Sequence, residues 1–307
     1  MTSQPAAEQR PATVVSGCLR PHALVTGTSS GIGRATALRL AALGYHVFAG
    51  VRREIDAAHL PAHSPGSLTP VRLDITDSGQ LAAAASLVEN HTAGAGLRVL
   101  VNNAGIGVTW PLELVPLALF RQQLEVNVTG QLAAIQALLP AVRRAGGTII
   151  VIGSIGDRLT LPFAGPLTAS KSAVAALTGS LRQELAPNGV KVVLVEPASI
   201  RSVAADKLGR NAQHTLASFS PGGRALYGQP YAAMTAAAVR REHHGSDPAV
   251  VADTIARAVR ARRPAPRYLV GKHAYLLAFA ALLPTRLLDV ARRRALGLQP
   301  VRRSDRP

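Results

Sequence analysis

The residues best suited to chemistry near the start of the chain are Gly27, Gly31 and Gly33, in the run Thr26-Gly27-Thr28-Ser29-Ser30-Gly31-Ile32-Gly33. An apolar stretch, Ala23 to Val25, precedes the run, and a helical pattern from Arg34 to Gly44 follows it. Strand, glycine turn and helix in that order suit the pyrophosphate of a dinucleotide, because the open N–H groups and the dipole at the helix start favour negative charge. Gly27 allows the tight turn; Gly31 and Gly33 allow backbone to approach a ligand and the helix to pack on its strand. The spacing, Thr-Gly-x-x-x-Gly-x-Gly, departs from the commoner Gly-x-Gly-x-x-Gly, and alone it would serve a structural turn equally well.

Those glycines need a sheet behind them. Apolar runs at Ala23–Val25, His46–Val51, Val71–Leu73, Arg98–Val101, Thr148–Ile152 and Lys191–Val195 read as strands. Helical patterns separate them at Ser78–His91, Leu117–Arg144 (with Pro140 near its end) and Pro166–Leu185. Alternating strands and helices predict an α/β fold, a single-domain doubly wound parallel sheet with helices on both faces. Ligands of such sheets bind beyond the C-terminal strand ends, where Gly27, Asp74, Asn102 and Ser154 would gather. Residues 199–247 break the alternation and carry Arg201, Tyr227, Tyr231, His243 and His244; so long an insert suits a lid over a small-molecule site. His243 and His244 are adjacent and would point apart, so they read as surface residues, and no metal site is expected.

The chain has 307 residues, enough for a sizeable core, and 48 % of them are apolar. One cysteine, Cys18, excludes an intramolecular disulfide and fits a cytoplasmic protein. The formal charge of +17 is mostly arginine spread along the chain. No nucleic-acid-binding signature accompanies it, and aromatics are too few for base-stacking platforms. Residues 1–20 read as a flexible leader and 301–307 as a disordered tail. No stretch is long and apolar enough for a transmembrane helix.

The glycine run, then Asn102-Asn103-Ala104-Gly105, Ser154, Ala169-Ser170-Lys171 and Glu196-Pro197, in this order and spacing from about residue 21 to 203, resemble the short-chain dehydrogenase/reductase family. The C-terminal part, with Arg267-Tyr268-Leu269-Val270-Gly271 and Leu282-Leu283-Pro284, is similar to its retinol and hydroxysteroid dehydrogenase members. The resemblance implies a Rossmann fold and hydride transfer between a nicotinamide and a carbonyl or alcohol carbon. It implies a catalytic Ser154 bonded to the substrate oxygen, Lys171 on the nicotinamide ribose, and Asn127 ordering a water in a proton relay. The nucleotide would be held by Thr26, Gly27, Ser29, Ser30, Gly31, Ile32, Gly33, Asp74, Ile75, Asn102, Ala104, Gly105, Lys171, Pro197, Ile200 and Ser202. Members are usually dimers or tetramers built on the long helices.

One position departs from the family. Its catalytic tyrosine stands four residues before the lysine; here that residue is Leu167, at the usual thirteen positions after Ser154. Tyr268 and Lys272 share the four-residue spacing but lie outside the motif order. A phenol whose pKa is lowered by a nearby ammonium exchanges a proton with the alkoxide; leucine has none to give. Two readings follow: an oxidoreductase with a substituted or water-based proton source, or a cofactor-binding protein that acts by binding. For the cofactor, NAD-specific members place an acid at the end of the second strand, where this chain has Ala49-Gly50-Val51 and then Arg52. Arg52 pairs with a 2′-phosphate through charge-assisted bonds, so NADP(H) is expected over NAD(H), with Arg34 a second candidate cation.

Residues 264–300 form a C-terminal segment in which an apolar run, Ala274 to Leu283, meets Arg286, Arg292, Arg293 and Arg294. Such a segment covers a substrate pocket or subunit interface, or lies on an anionic membrane surface. Both options agree with a lipophilic substrate. Asp157 and Arg158 would touch substrate or pair with each other.

Overall fold

Alternate residues of the central strands are apolar on both sides, so each strand is buried between two helical layers. The computed structural model describes residues 20–60, 67–201, 204–296 and 298. Seven parallel strands are formed: β1 (His22–Val25), β2 (His46–Val51), β3 (Ser67–Arg72), β4 (Val99–Asn102), β5 (Thr148–Ile152), β6 (Lys191–Pro197) and β7 (Arg267–Val270). Their spatial order is β3-β2-β1-β4-β5-β6-β7. The order reverses between β1 and β4, and that crevice is where an open α/β sheet takes its ligand.

On one face Leu24, Phe48, Leu100, Ile149 and Leu194 meet α2 (Ser78–Thr92), α4 (Gln131–Arg144) and α5 (Gly165–Leu185). On the other, Val25, Val47, Val101, Ile150 and Val195 meet α1 (Gly31–Ala42) and α8 (Pro248–Arg260). The doubly wound expectation therefore holds.

Three expectations need correction. The third strand runs over Ser67–Arg72 rather than Val71–Leu73. It contains Pro70, which a central strand would reject but an edge strand such as β3 accepts. The long helix over 117–144 is not uniform: α3 (Leu117–Leu124) passes through a π-helical turn, Glu125–Gly130, before α4. A strand, β7, and a helix, α8, close the sheet after the insert, where the sequence reading placed neither. The 199–247 insert itself contains α6 (Ala204–Ala217) and α7 (Pro221–His243), which pack on each other. The C-terminal segment continues into α9 (Ala274–Ala280) and α10 (Thr285–Ala295). Cys18, the rest of the leader to residue 19, Ser202 and the 301–307 tail lie outside the described residues.

Candidate active site

The glycine turn fits a pyrophosphate for reasons visible in its backbone. Gly27 and Gly31 have φ of +69° and +54°, a region that favours glycine. A Cβ on Gly33 would stand 2.1 Å from Gly27 O, so any other residue would force helix and turn apart. A Cβ on Gly31 would meet nothing within 4 Å, which is the open side. Ser30, the N-cap of α1, makes no side-chain capping bond, and the first turn holds no acid. The helix N–H groups that point to the strand edge thus have no acidic side chain set against them, as an anion site requires. Ser29 and Ser30 are exposed beside them.

Thr26 is buried and braces the turn: its Oγ1 accepts from Asn103 N and Ala104 N, both at 2.9 Å. Asn103 returns the bond from its side-chain amide to Thr26 O and Gly27 O. Asn102 closes β4, donating from Nδ2 to Gln131 O at 2.8 Å, while its Oδ1 is buried without a partner. Asp74 accepts from Thr76 N and Thr76 Oγ1. The side chains of Ile75 and Ile200 are buried in the core, so each offers backbone alone to a ligand. Pro197 ends β6 beside Val270 of β7.

Arg52 and Arg53 separate at the end of β2. Arg53 is held by Asp56 through two bonds, of 3.0 and 2.7 Å. Arg52 is exposed and has no hydrogen-bond or ion-pair partner among the described residues.

Ser154 follows β5 and caps a short helical turn, Ile155–Asp157, its Oγ accepting from Gly156 N at 3.0 Å. That bond leaves the hydroxyl proton available to an outside acceptor. Lys171, one turn of α5 beyond Leu167, donates from Nζ to Ile152 O at 2.8 Å. Ser154 and Lys171 thereby meet at the end of one strand. Burial pushes the Lys171 ammonium down to about 8, against a smaller upward pull from the Asp157 carboxylate. Leu167 lies opposite Gly107, in the loop after β4. Neither a phenol nor a carboxylate bonds to Lys171 among the described residues. Tyr227 bonds Glu113, Tyr231 donates to Thr109 O, Tyr268 accepts from Ala265 N and Tyr275 is exposed.

Asn127 sits fully buried in the π-helical turn. Its Oδ1 accepts from Ile106 N at 2.8 Å, and its Nδ2 donates to Ile106 O and Ser170 Oγ. Gln123 and Gln131, four residues to either side, do the same work. Gln123 bonds Val108 N, Ile106 O and Ser170 Oγ; Gln131 donates to Ala104 O. Three amides at 123, 127 and 131 thus clamp the loop 104–108 onto the helix. Only Asn127 was singled out from the sequence. The i, i+4, i+8 repeat of side-chain amides on one helical face was the available signal.

Asp157 and Arg158 do not pair with each other in the main. Arg158 and Arg267 both donate to the buried carboxylate of Glu196, and Arg267 also reaches Asp157. Burial and the adjoining Glu196 carboxylate raise Asp157 to about 6. Burial alone would raise Glu196 too, but bonds from Arg158, Arg267 and Asp157 outweigh it and hold its carboxyl below the ordinary range.

An aromatic cluster forms between Phe163, just before α5, and the insert. Phe163, Phe219, Tyr231 and Met234 are buried together, with Trp110, Leu114 and Tyr227 against them. Phe163 adopts φ of +66°, a conformation costing a non-glycine residue roughly 1–2 kcal/mol, and its carbonyl accepts from Trp110 N. The 199–247 insert supplies Phe219, Tyr231 and Met234. His243 and His244 are exposed, as expected.

A seven-stranded parallel sheet with a glycine turn at its switch point, and a serine and lysine at the end of β5, defines a dinucleotide-dependent oxidoreductase architecture. The family profile described as short chain dehydrogenase matches residues 21–213, and the chain belongs to the short-chain dehydrogenase/reductase family. It is 35 % identical over 274 residues to NADPH-dependent 3-dehydrocapnine reductase of Ornithobacterium rhinotracheale, covering 87 % of this chain and 94 % of that one. It is 34 % identical to retinol dehydrogenase 16 of Homo sapiens (90 % and 89 % covered) and 32 % identical to estradiol 17-beta-dehydrogenase 2 of Mus musculus (92 % and 76 %). Among solved structures, a short chain dehydrogenase from Burkholderia cenocepacia in complex with NADP superposes with a TM-score of 0.68 at 27 % identity, covering 92 % of this chain and 98 % of that one.

Proposed function

We propose that the protein is an NADPH-dependent reductase of lipophilic ketones or aldehydes in which Lys171, acting through water, replaces the missing phenol as proton source. The observation that carries this reading is the buried Lys171 ammonium bonded to Ile152 O, two residues before Ser154, with a hydrocarbon, Leu167, one helical turn before it in place of the phenol.

When bound, the nicotinamide supplies hydride to the carbonyl carbon. Ser154 donates its hydroxyl to the carbonyl oxygen and stabilises the charge that grows there. The Lys171 ammonium, with its pKa near 8, is a far better acid at neutral pH than an ordinary lysine. It releases a proton through a water to the alkoxide and recovers one from solvent. Asn127 acts on this site by fixing the loop at Ile106, beside which Leu167 packs; its own side-chain bonds all go to protein. The free Arg52 favours a 2′-phosphate, and the aromatic cluster favours an apolar substrate. Relatives named for retinol, estradiol and 3-dehydrocapnine agree with both.

The test is steady-state reduction of a panel of lipophilic ketones with NADPH and NADH, by the wild type and Leu167→Tyr. The wild type is expected to turn over slowly with NADPH, its kcat/KM falling as pH rises through about 8, where Lys171 loses its proton. Leu167→Tyr restores the phenol and should raise kcat by about 10²- to 10⁴-fold. Tight NADPH binding with no turnover in either form would instead make the protein one that acts by binding. That second reading rests on Leu167 itself.

A further inference from the structure

We propose that α9, α10 and the basic groove beside them form a docking surface for an anionic lipid bilayer. The inference stands on surface composition and does not depend on the proposed reductase activity. Tyr275, Leu276, Phe279, Leu282 and Leu287 are 62–79 % exposed, and Leu283 and Val290 are exposed as well. Leu276 and Phe279 lie one turn apart on α9, Leu287 and Val290 one turn apart on α10, and Leu282 and Leu283 fill the turn between, so each short helix and their connection present apolar side chains to water. Soluble monomers rarely leave a contiguous apolar patch of this kind uncovered.

Charge names the occupant. A groove of about 300 Å³ is lined by Arg240, Arg241, His244, Lys272 and His273, with Ser199 at its base. Lys272 and His273 immediately precede α9, so this groove adjoins the apolar side. Arg286 at the start of α10 and Arg293 and Arg294 in its last turn are exposed. Between residues 268 and 296 the single acid is Asp289, and Arg292 of its own helix stands 3.7 Å from it. A second copy of this chain would bring one basic rim against another, a like-charge contact that disfavours association. A bilayer with anionic headgroups satisfies both features: acyl chains take the apolar side chains and lipid phosphates pair with the basic side chains around the groove.

The position also suits access. α9 packs on the Ile155–Asp157 turn that follows Ser154, and Leu296, beyond α10, packs on the aromatic cluster. A docked molecule would draw a lipophilic compound directly from the bilayer.

Vesicle flotation tests this. Wild-type protein should float with vesicles of equal parts phosphatidylcholine and phosphatidylglycerol at least about tenfold more than with phosphatidylcholine alone, and high salt should reverse the difference. Leu276→Glu/Phe279→Glu should abolish flotation. Arg240→Glu/Arg241→Glu should cut binding to the anionic vesicles by at least about tenfold, on the order of fivefold per basic residue. Unchanged NADPH affinity in both variants reports that the fold is intact, and wild-type flotation alone decides the matter if either fails to fold. No flotation, or equal flotation on neutral and anionic vesicles, overturns the proposal. So does groove binding of inorganic phosphate without vesicle binding, or a dimer that Leu276→Glu/Phe279→Glu dissociates while wild type ignores vesicles.

Discussion

The nucleotide edge and the catalytic wall of this cleft treat their polar groups in opposite ways. At the edge, the start of α1 carries neither a side-chain cap nor an acid, the face of Gly31 is open, and Arg52 has no partner among the described residues. Along the wall, Asn127, Gln123 and Ser170 satisfy one another, and Glu196 is wrapped by two arginines. The residue that should face substrate with a phenol is Leu167. Other helix starts sharpen the difference: Asp77, Ser220 and Asp247 cap α2, α7 and α8 with their side chains. The starts of α3, α5, α9 and α10 carry no side-chain cap either, so what sets the start of α1 apart is the open face of Gly31, together with the buried Asn102 Oδ1 that has no partner among the described residues. The wall is mostly bonded to itself, with Gln131 Oε1 and Asp157 Oδ1 as its buried atoms without a partner among the described residues.

Three measurements break or sharpen that contrast. The largest effect is expected at Arg52. Arg52→Ala should weaken NADPH binding by about 10- to 100-fold, the loss of a charge-assisted pair, and leave NADH unchanged. Arg53→Ala, whose guanidinium already belongs to Asp56, should leave the NADPH-to-NADH ratio where it was. Equal losses in titrations of the two variants would remove the distinction between them.

Next is Lys171, the member of the wall held against its own hydration. Its folded pKa, about 8, lies below the ordinary 10.5. Between those values the native state binds fewer protons than the unfolded chain, so stability rises with pH through that window and is lowest below it. Lys171→Met should therefore stabilise the nucleotide-free protein at neutral pH by about 1–3 kcal/mol in urea unfolding. That advantage should shrink as pH climbs from 8 towards 10.5. A destabilised variant would mean that the bond to Ile152 O outweighs the desolvation.

The smallest effect lies at the opposite edge of the sheet. His22 and His46 pack around Phe48, and burial first, then neighbouring histidines, lowers both from 6.5. The native state resists protonating them, so stability is complete above pH 6.5 and falls as pH drops below it. Because this pair is remote from the cleft, NADPH affinity should not follow that loss. Parallel unfolding and binding titrations at neutral and mildly acidic pH check this.

Much of the fold was legible in the sequence because buried parallel strands read as short apolar runs between helical patterns. The extent of β3 was hidden by Pro70, whose tolerance depends on an edge position that a single run does not reveal. β7 was hidden because Arg267 to Val270 sits between prolines and a glycine, with arginine at its start. The π-helical turn carries no residue that a regular helix would refuse. In the site, the motif positions came forward readily. Their partners did not, because Gln123 and Gln131 matter only through a loop fifteen to twenty-seven residues before them. Likewise Arg158 and Glu196 meet across 38 residues, a contact that local spacing does not encode.

The three amides on the helix pin the loop 104–108, whereas α7 is tied to the stretch just beyond that loop by two phenols, Tyr231 on Thr109 and Tyr227 on Glu113. The insert therefore takes its hold late in the chain: each of those phenols reaches back across more than a hundred residues to a stretch adjoining the loop that the amides fix.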